Sequence, residues 1–228
     1  MKKLILGLAV MSTSFAFAQS TNTASTSPVR FGVKAGMNVA SLSKDGTLDD
    51  QKSKIGFNAG VFANIPLASS FSIQPEVLYN DLGAKSVSKY STGNETNGVK
   101  TKDSYSTNLG YISVPVMFQY NFVPNFYVEA GPEFGFMVGA KVKGDSEVTT
   151  YVNGTGTTTT KSYSESINKD HLNKFNFGIG LGAGYYFTDN IGITARYTAG
   201  ITDIAKDRPS GSDKVRNNVF QVGLAYKF

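Results

Sequence analysis

No cysteine occurs among the 228 residues, and histidine occurs once, at His171. Without thiols there is no disulfide framework, so the fold must hold by packing and hydrogen bonding alone. Charge is scarce as well. Asp, Glu, Lys and Arg make up 17% of the chain, where a solvated domain carries about 25%. A surface that meets something other than water would account for the shortfall. The small basic excess, 22 Lys and Arg against 17 Asp and Glu, is dispersed, which argues against a nucleic-acid partner. Long apolar runs are missing too. No segment reaches the ~20 apolar residues that a spanning helix needs.

The first residues carry an export pattern. Lys2 and Lys3 form a basic start, Leu4 to Val10 an apolar middle, and Ala16-Phe17-Ala18 a small-residue cleavage site before Gln19. The expected organisation is a signal peptide over 1–18, a polar leader over 19–29 rich in Thr and Ser, and one domain over 30–228.

That domain is dominated by strict alternation. In 174–187, Phe175, Phe177, Ile179, Leu181, Ala183, Tyr185 and Phe187 fall on one parity. Gly178, Gly180, Gly182 and Gly184 fall on the other. A strand sends successive side chains to opposite faces, so this is one greasy face and one small or polar face. The same pattern recurs over 30–39, 55–65, 71–80, 110–121, 126–139, 191–201 and 218–228. The sequence therefore predicts an all-β fold, an eight-stranded antiparallel up-and-down barrel.

The connections alternate long and short. Polar loops are expected over 85–106 and 141–173, and a charged one over 203–216. Hairpin parity sets Ile65 opposite Phe71, Asn121 opposite Asn125 and Phe187 opposite Ile191. Pro75, Pro115 and Pro132 fall inside strands, where bulges or missing ladder bonds are expected.

Alternation alone does not say which face points inward, but four features turn the apolar face outward. The other face is built from glycine with a few charges, a poor surface for water. Strands of about ten residues with apolar bands fit a tilted membrane crossing. Short turns gather at one end and long loops at the other, as in outer-membrane barrels. The chain also ends on Phe228, in register with the apolar face. Because hydrocarbon offers no hydrogen bonds, a chain without spanning helices crosses only as a closed sheet. Tyr79, Tyr120, Tyr185 and Tyr197, with Phe71, Phe126 and Phe187, are candidates for interfacial girdles.

The chain resembles the PorT-type family of small outer-membrane β-barrel proteins. The likeness lies in R-F-G-V-K-A-G-M-N from Arg30, Y-I-S-V-P-V-M-F-Q-Y from Tyr111, A-G-P-E-F-G-F from Ala130 and the terminal A-Y-K-F. The resemblance implies a location in the outer membrane and assigns no activity. It also likens Tyr226 and Phe228 to the C-terminal signal read by barrel-insertion machinery.

Five charged residues fall on the inward parity: Lys34, Glu76, Glu129, Glu133 and Arg196. An unpaired charge in a narrow interior is very costly, so they are expected to pair, with Arg196 bridging Glu76 or Glu133. The first reading is a structural plug of salt bridges; a polar path or small-ligand site is the alternative. Asp170-His171 has no second acidic pair to make it catalytic. Asp45, Gly46, Asp49 and Asp50 do not match an EF-hand, and the period-two glycines of 178–184 are not a nucleotide loop. No cofactor, metal or catalytic residue is expected. Expected partners are outer-membrane lipids, lipopolysaccharide and the insertion machinery, with any surface or secretion partner unassigned. The expected function is a non-enzymatic structural or interaction protein with exposed loops and a side-chain-filled polar lumen. A narrow pore or small-solute transporter is the alternative, and a membrane-embedded hydrolase or lipid-modifying enzyme stands behind it.

Overall fold

A computed structural model of the chain describes residues 28–43, 51–168, 170, 172–206 and 214–228. The expected signal peptide, nearly all of the leader, His171 and the Asp45–Asp50 group lie outside the described residues. Nine strands follow in order: β1 (Arg30–Leu42), β2 (Gln51–Pro66), β3 (Phe71–Gly93), β4 (Gly98–Val123), β5 (Phe126–Val152), β6 (Thr155–Ser166), β7 (Phe175–Tyr186), β8 (Ile191–Gly200) and β9 (Asn217–Lys227). Every pairing is antiparallel. No helix among the described residues is long and apolar enough to cross a membrane.

Eight strands close into a ring. β1 pairs with both β2 and β9, and β5 pairs with β4 along its whole length and with β7 through its first half. The seam holds to the end of the chain, where Phe228 N–H donates to the Phe31 carbonyl at 2.8 Å. β6 stands outside the ring, pairing only with the distal half of β5 from Lys141 to Val152. The segments 85–106 and 141–166 are thus strand where loop was expected. β3, β4, β5 and β6 continue past the barrel rim as a four-stranded antiparallel sheet.

The alternation orients the wall. On β7, Leu181 is 67% exposed and Ile179 52%, while Gly180 is buried; on β8, Arg196 is only 2% exposed. The greasy parity therefore faces outward and the small or charged parity faces the lumen. Rings gather at the short-turn end, with Phe71 and Tyr120 centroids 4.8 Å apart, Tyr120 and Phe122 4.9 Å, and Tyr185 and Phe187 5.5 Å. A second group sits toward the far end, where Phe57 meets Tyr79 at 5.6 Å and Phe136 meets Phe175 at 5.5 Å. Strand rise puts Phe126 and Phe136 about 33 Å apart along β5. At a tilt of about 40° that is about 25 Å along the barrel axis, the height of an apolar membrane band. Tyr197, expected in a girdle, pairs instead at the level of Leu181 and Phe220, within the wall.

Two hairpin registers differ from expectation by two residues. Ile65 pairs with Ile73 and Asn121 with Tyr127, because both ladders close their turns more tightly than parity requires. At the third hairpin, Phe187 N–H donates to the Ile191 carbonyl at 2.9 Å. The prolines interrupt pairing without shifting it: the β3–β4 ladder lapses after Pro75↔Val116 and resumes at Leu78↔Ser113, and the β4–β5 ladder lapses between Pro115↔Glu133 and Phe118↔Ala130. The bulges lie elsewhere. One falls between Ser53 and Asn58, opposite Gly83, whose φ of 131° only glycine adopts readily. Another falls between Gly110 and Tyr111 and makes Val138 an extra residue on β5. Beyond it the parity of β5 reverses, so Ala140 points into the core while Lys141 and Lys143 turn outward.

Candidate functional site

The lumen holds the charged residues, and the strands set each at its height. Gly180 and Gly182 of β7 are the space that makes this possible. A Cβ on Gly182 would lie 2.6 Å from the Ala195 carbonyl and 2.9 Å from Glu129 Oε1, and one on Gly180 would lie 3.4 Å from Arg196 Cδ. The bare backbone of β7 thus leaves room for the arginine of β8 and the glutamate of β5.

Arg196 is the centre of the network. Its Nη1 donates to Glu76 Oε2 at 2.9 Å and its Nη2 to Glu76 Oε1 at 2.7 Å, a two-pronged fork. Its Nε donates to Glu129 Oε1 at 2.7 Å, and Nη2 approaches the same oxygen at 2.6 Å. Lys34 Nζ joins from β1, 3.1 Å from Glu76 Oε1. Gln74 donates to Glu76 at 2.8 Å and Gln119 to Glu129 at 3.0 Å. One guanidinium cross-braces β3, β5 and β8, and β1 joins them through Lys34 on Glu76.

Glu133 does not take part in the fork. Its carboxylate accepts from Thr198 Oγ1 at 3.0 Å, and the second carboxylate on Arg196 is Glu129 instead. Both glutamates lie on the inward parity of β5, and the relative height of neighbouring strands decides between them. The amide members were not singled out from the sequence, although they occupy the same parity as the charges. One level above, Asn38, Asn58, Asn80, Ser113 and Gln221 form a second network, with Asn58 donating to Asn38 at 2.6 Å and Gln221 to Asn80 at 2.9 Å.

The lumen is not polar throughout, contrary to expectation. Toward the short-turn end, Phe62, Tyr127, Tyr186 and Ala225 form a buried apolar cluster, and the Lys227 ammonium lies 3.5 Å from the Tyr186 ring centre. Toward the other mouth, Leu82, Leu109, Tyr111, Met137 and Val219 pack with Ile204 and Val215 from the β8–β9 connection. Leu172 packs against this cluster from the β6–β7 connection, and the two connections are joined where Asn173 Nδ2 donates to the Asp203 carbonyl at 2.8 Å. The charged layer is held between two apolar stoppers. Apolar residues within otherwise polar loops were the available signal for the upper one.

The remaining expected positions are simple to place. Asp170 makes an exposed ion pair with Lys174 at 3.5 Å. Tyr226 and Phe228 lie on the outward face with rings 5.4 Å apart, edge to face. Among the described residues no group of three or more His, Cys, Asp and Glu side chains is arranged to hold a metal ion.

A closed ring of eight strands, grease outside and charges inside, is the geometry of a membrane barrel. The model of the outer membrane protein beta-barrel domain family matches residues 17–206. The chain belongs to this family. It is an outer-membrane protein, and its short turns accordingly face the periplasm and its long projections the exterior. Among solved structures, this outer-membrane barrel is similar to Neisserial surface protein A, at 14% identity over 87% of this chain and 97% of that one, with a TM-score of 0.45. It is also similar to Ail, the attachment invasion locus protein of Yersinia pestis, at 14% identity over 87% and 98%, with a TM-score of 0.41. The outer membrane protein OprG from Pseudomonas aeruginosa is similar at 13% identity over 88% and 94%, with a TM-score of 0.34. Comparison with curated proteins finds no match.

Proposed function

We propose that this outer-membrane barrel is a closed structural and interaction protein, presenting its projecting strands at the cell surface, and neither a pore nor an enzyme. The observation that carries the proposal is the filled lumen. A solute on the barrel axis would meet the apolar cluster around Met137, then the braced Arg196–Glu76–Glu129 layer, then the cluster around Tyr127. Eight-stranded barrels have interiors that side chains can fill, and breaking the brace to admit a solute would leave buried charges unpaired.

Within this reading, Tyr226 and Phe228 serve as the C-terminal signal for insertion, exposed on the lipid face where a partner could grip them. Kinship with the PorT-type barrels, carried by the strand motifs quoted above, fits the same role. The test is conductance of the refolded protein in planar bilayers. The expected record has no steady ohmic openings; steady ohmic steps would assign the protein as a narrow pore or transporter instead.

A further inference from the structure

The outward face of the projecting sheet is strongly basic, and it continues the lipid-facing wall. On β3 the outward parity runs without a register shift against β4 from Tyr79 to Lys85 and Lys89. On β4 it carries Lys100 and Lys102. The bulge at Val138 turns Lys141 and Lys143 of β5 to the same side, and exposed Lys52 of β2 lies opposite Lys85. Seven lysines therefore share one face, against Asp81, Asp145 and Glu147 as its carboxylates among the described strand residues, and Asp81 is already paired with Lys54 at 2.6 Å.

The lysines fall into two tiers. In the upper tier, Lys100 is bound to Glu95 at 2.6 Å, which holds that carboxyl below its usual range, and Lys102 is bound to Glu147 at 3.0 Å. In the lower tier, Lys52, Lys85, Lys141 and Lys143 are exposed, and among the described residues none has an ion-pair partner. A shallow basin of about 370 Å³ lies between Lys85 and Lys143, floored by Val87, Ser104 and Ser106, with Asp145, which accepts from Ser162 at 2.6 Å, also on its lining. Strand rise puts Lys52 and Lys141 about 8 Å beyond the outward apolar residues Ile55 and Val138, with Lys85 in register with Lys52 and Lys143 about 5 Å above Lys141. The headgroup zone begins at that apolar edge and is about 5–8 Å deep in an ordinary bilayer.

We propose that this lower tier is a docking surface for the phosphate groups of the anionic glycolipid around the barrel, lipopolysaccharide of the outer leaflet. Two observations choose this occupant: the charge is complementary, and the face is continuous with the wall that already meets lipid. The lysines rise from the outer margin of this zone or just above it, and their long stems can turn the unpaired ammonium groups back toward the phosphates. The Ser104 and Ser106 hydroxyls between the lysines suit the sugars to which such phosphates are attached. The proposal rests on the surface-interaction reading and names one partner for it, whereas conductance tests that reading alone.

The experiment measures binding of purified lipopolysaccharide to the full-length barrel folded in neutral detergent. Wild type is expected to bind the phosphorylated lipid with an affinity that falls as salt rises. The quadruple variant Lys52→Gln, Lys85→Gln, Lys141→Gln, Lys143→Gln is expected to bind at least about tenfold more weakly, with its heat-dependent gel mobility unchanged. Lipopolysaccharide stripped of phosphate is expected to bind wild type as weakly, a comparison that needs no variant. The proposal is overturned if wild type binds both lipids equally, if the folded variant binds as tightly as wild type, or if a soluble polyanion such as dextran sulfate is bound and lipopolysaccharide is not.

Discussion

The barrel wall and the sheet that projects from it share three strands and the two hydrogen-bond ladders between them, yet their surfaces are opposite. Within the wall, the outward parity carries Ile179, Leu181, Phe118 and Phe136, all more than half exposed. Past the bulges, the same outward side carries Lys85, Lys141 and Lys143. The inward side changes too: within the wall it carries Arg196, Glu76 and Glu129, each at most 2% exposed, and above the rim it carries Tyr105, Val142 and Val148, which are half-buried. The comparison teaches that the backbone supplies only a two-sided sheet. The surroundings decide which chemistry each side needs, and hydrocarbon is the stricter of the two, because it tolerates no exposed charge.

The largest effect is expected where the wall's interior is broken. Arg196→Ala leaves Glu76 and Glu129 buried without their common partner and should cost about 3–5 kcal/mol in urea unfolding from detergent. Combining Arg196→Met and Lys34→Met with Glu76→Gln and Glu129→Gln should recover much of that, since a buried ion network replaced as a unit is close to neutral. If the single variant unfolds like wild type, the brace does not hold the barrel. Next comes the outer side of the wall. Leu181→Arg puts a charge near mid-membrane and should cost about 2–4 kcal/mol, measured by the same unfolding in lipid vesicles.

A smaller loss is expected from Gly182→Val, which crowds the Ala195 carbonyl and the Glu129 carboxylate. Overpacking of this kind costs about 1–3 kcal/mol. The smallest effect belongs to the projection. Thr159→Arg on β6, where every residue is exposed, should change stability by less than about 0.5 kcal/mol. A loss there equal to that of Leu181→Arg would erase the contrast between the two regions.

The same contrast explains what could be read from the sequence. Strands β7, β8 and β9 were legible because lipid on one side and a narrow lumen on the other force a clean period of two. The inward charges were legible for the same reason: Arg196 is the one charge in its strand, and Glu129 and Glu133 are the only charges of the run 126–139. β6 was not, because T-G-T-T-T-T-K-S-Y-S-E-S is polar on both faces and water makes no demand for alternation. Register was legible only to parity, so Ile65 could slide from Phe71 to Ile73 without turning any side chain over. The choice of Glu129 over Glu133 depends on how far neighbouring strands are staggered, and alternation within one strand does not encode stagger. The apolar stoppers were hidden because Phe62, Tyr111 and Met137 share the parity of the charges, and only packing between strands separates the levels.

The lack of cysteine allows the central claim to be tested directly. Single substitutions Ile179→Cys, Leu181→Cys, Tyr197→Cys and Thr198→Cys would each carry one spin label, and the barrel would be folded into lipid vesicles. Oxygen, which concentrates in hydrocarbon, should relax the labels at 179, 181 and 197 strongly and the label at 198 weakly, with a water-soluble nickel chelate reaching none of the outward three. Strong oxygen contact at 198 with chelate access at 179 and 181 would turn the barrel inside out and contradict the account.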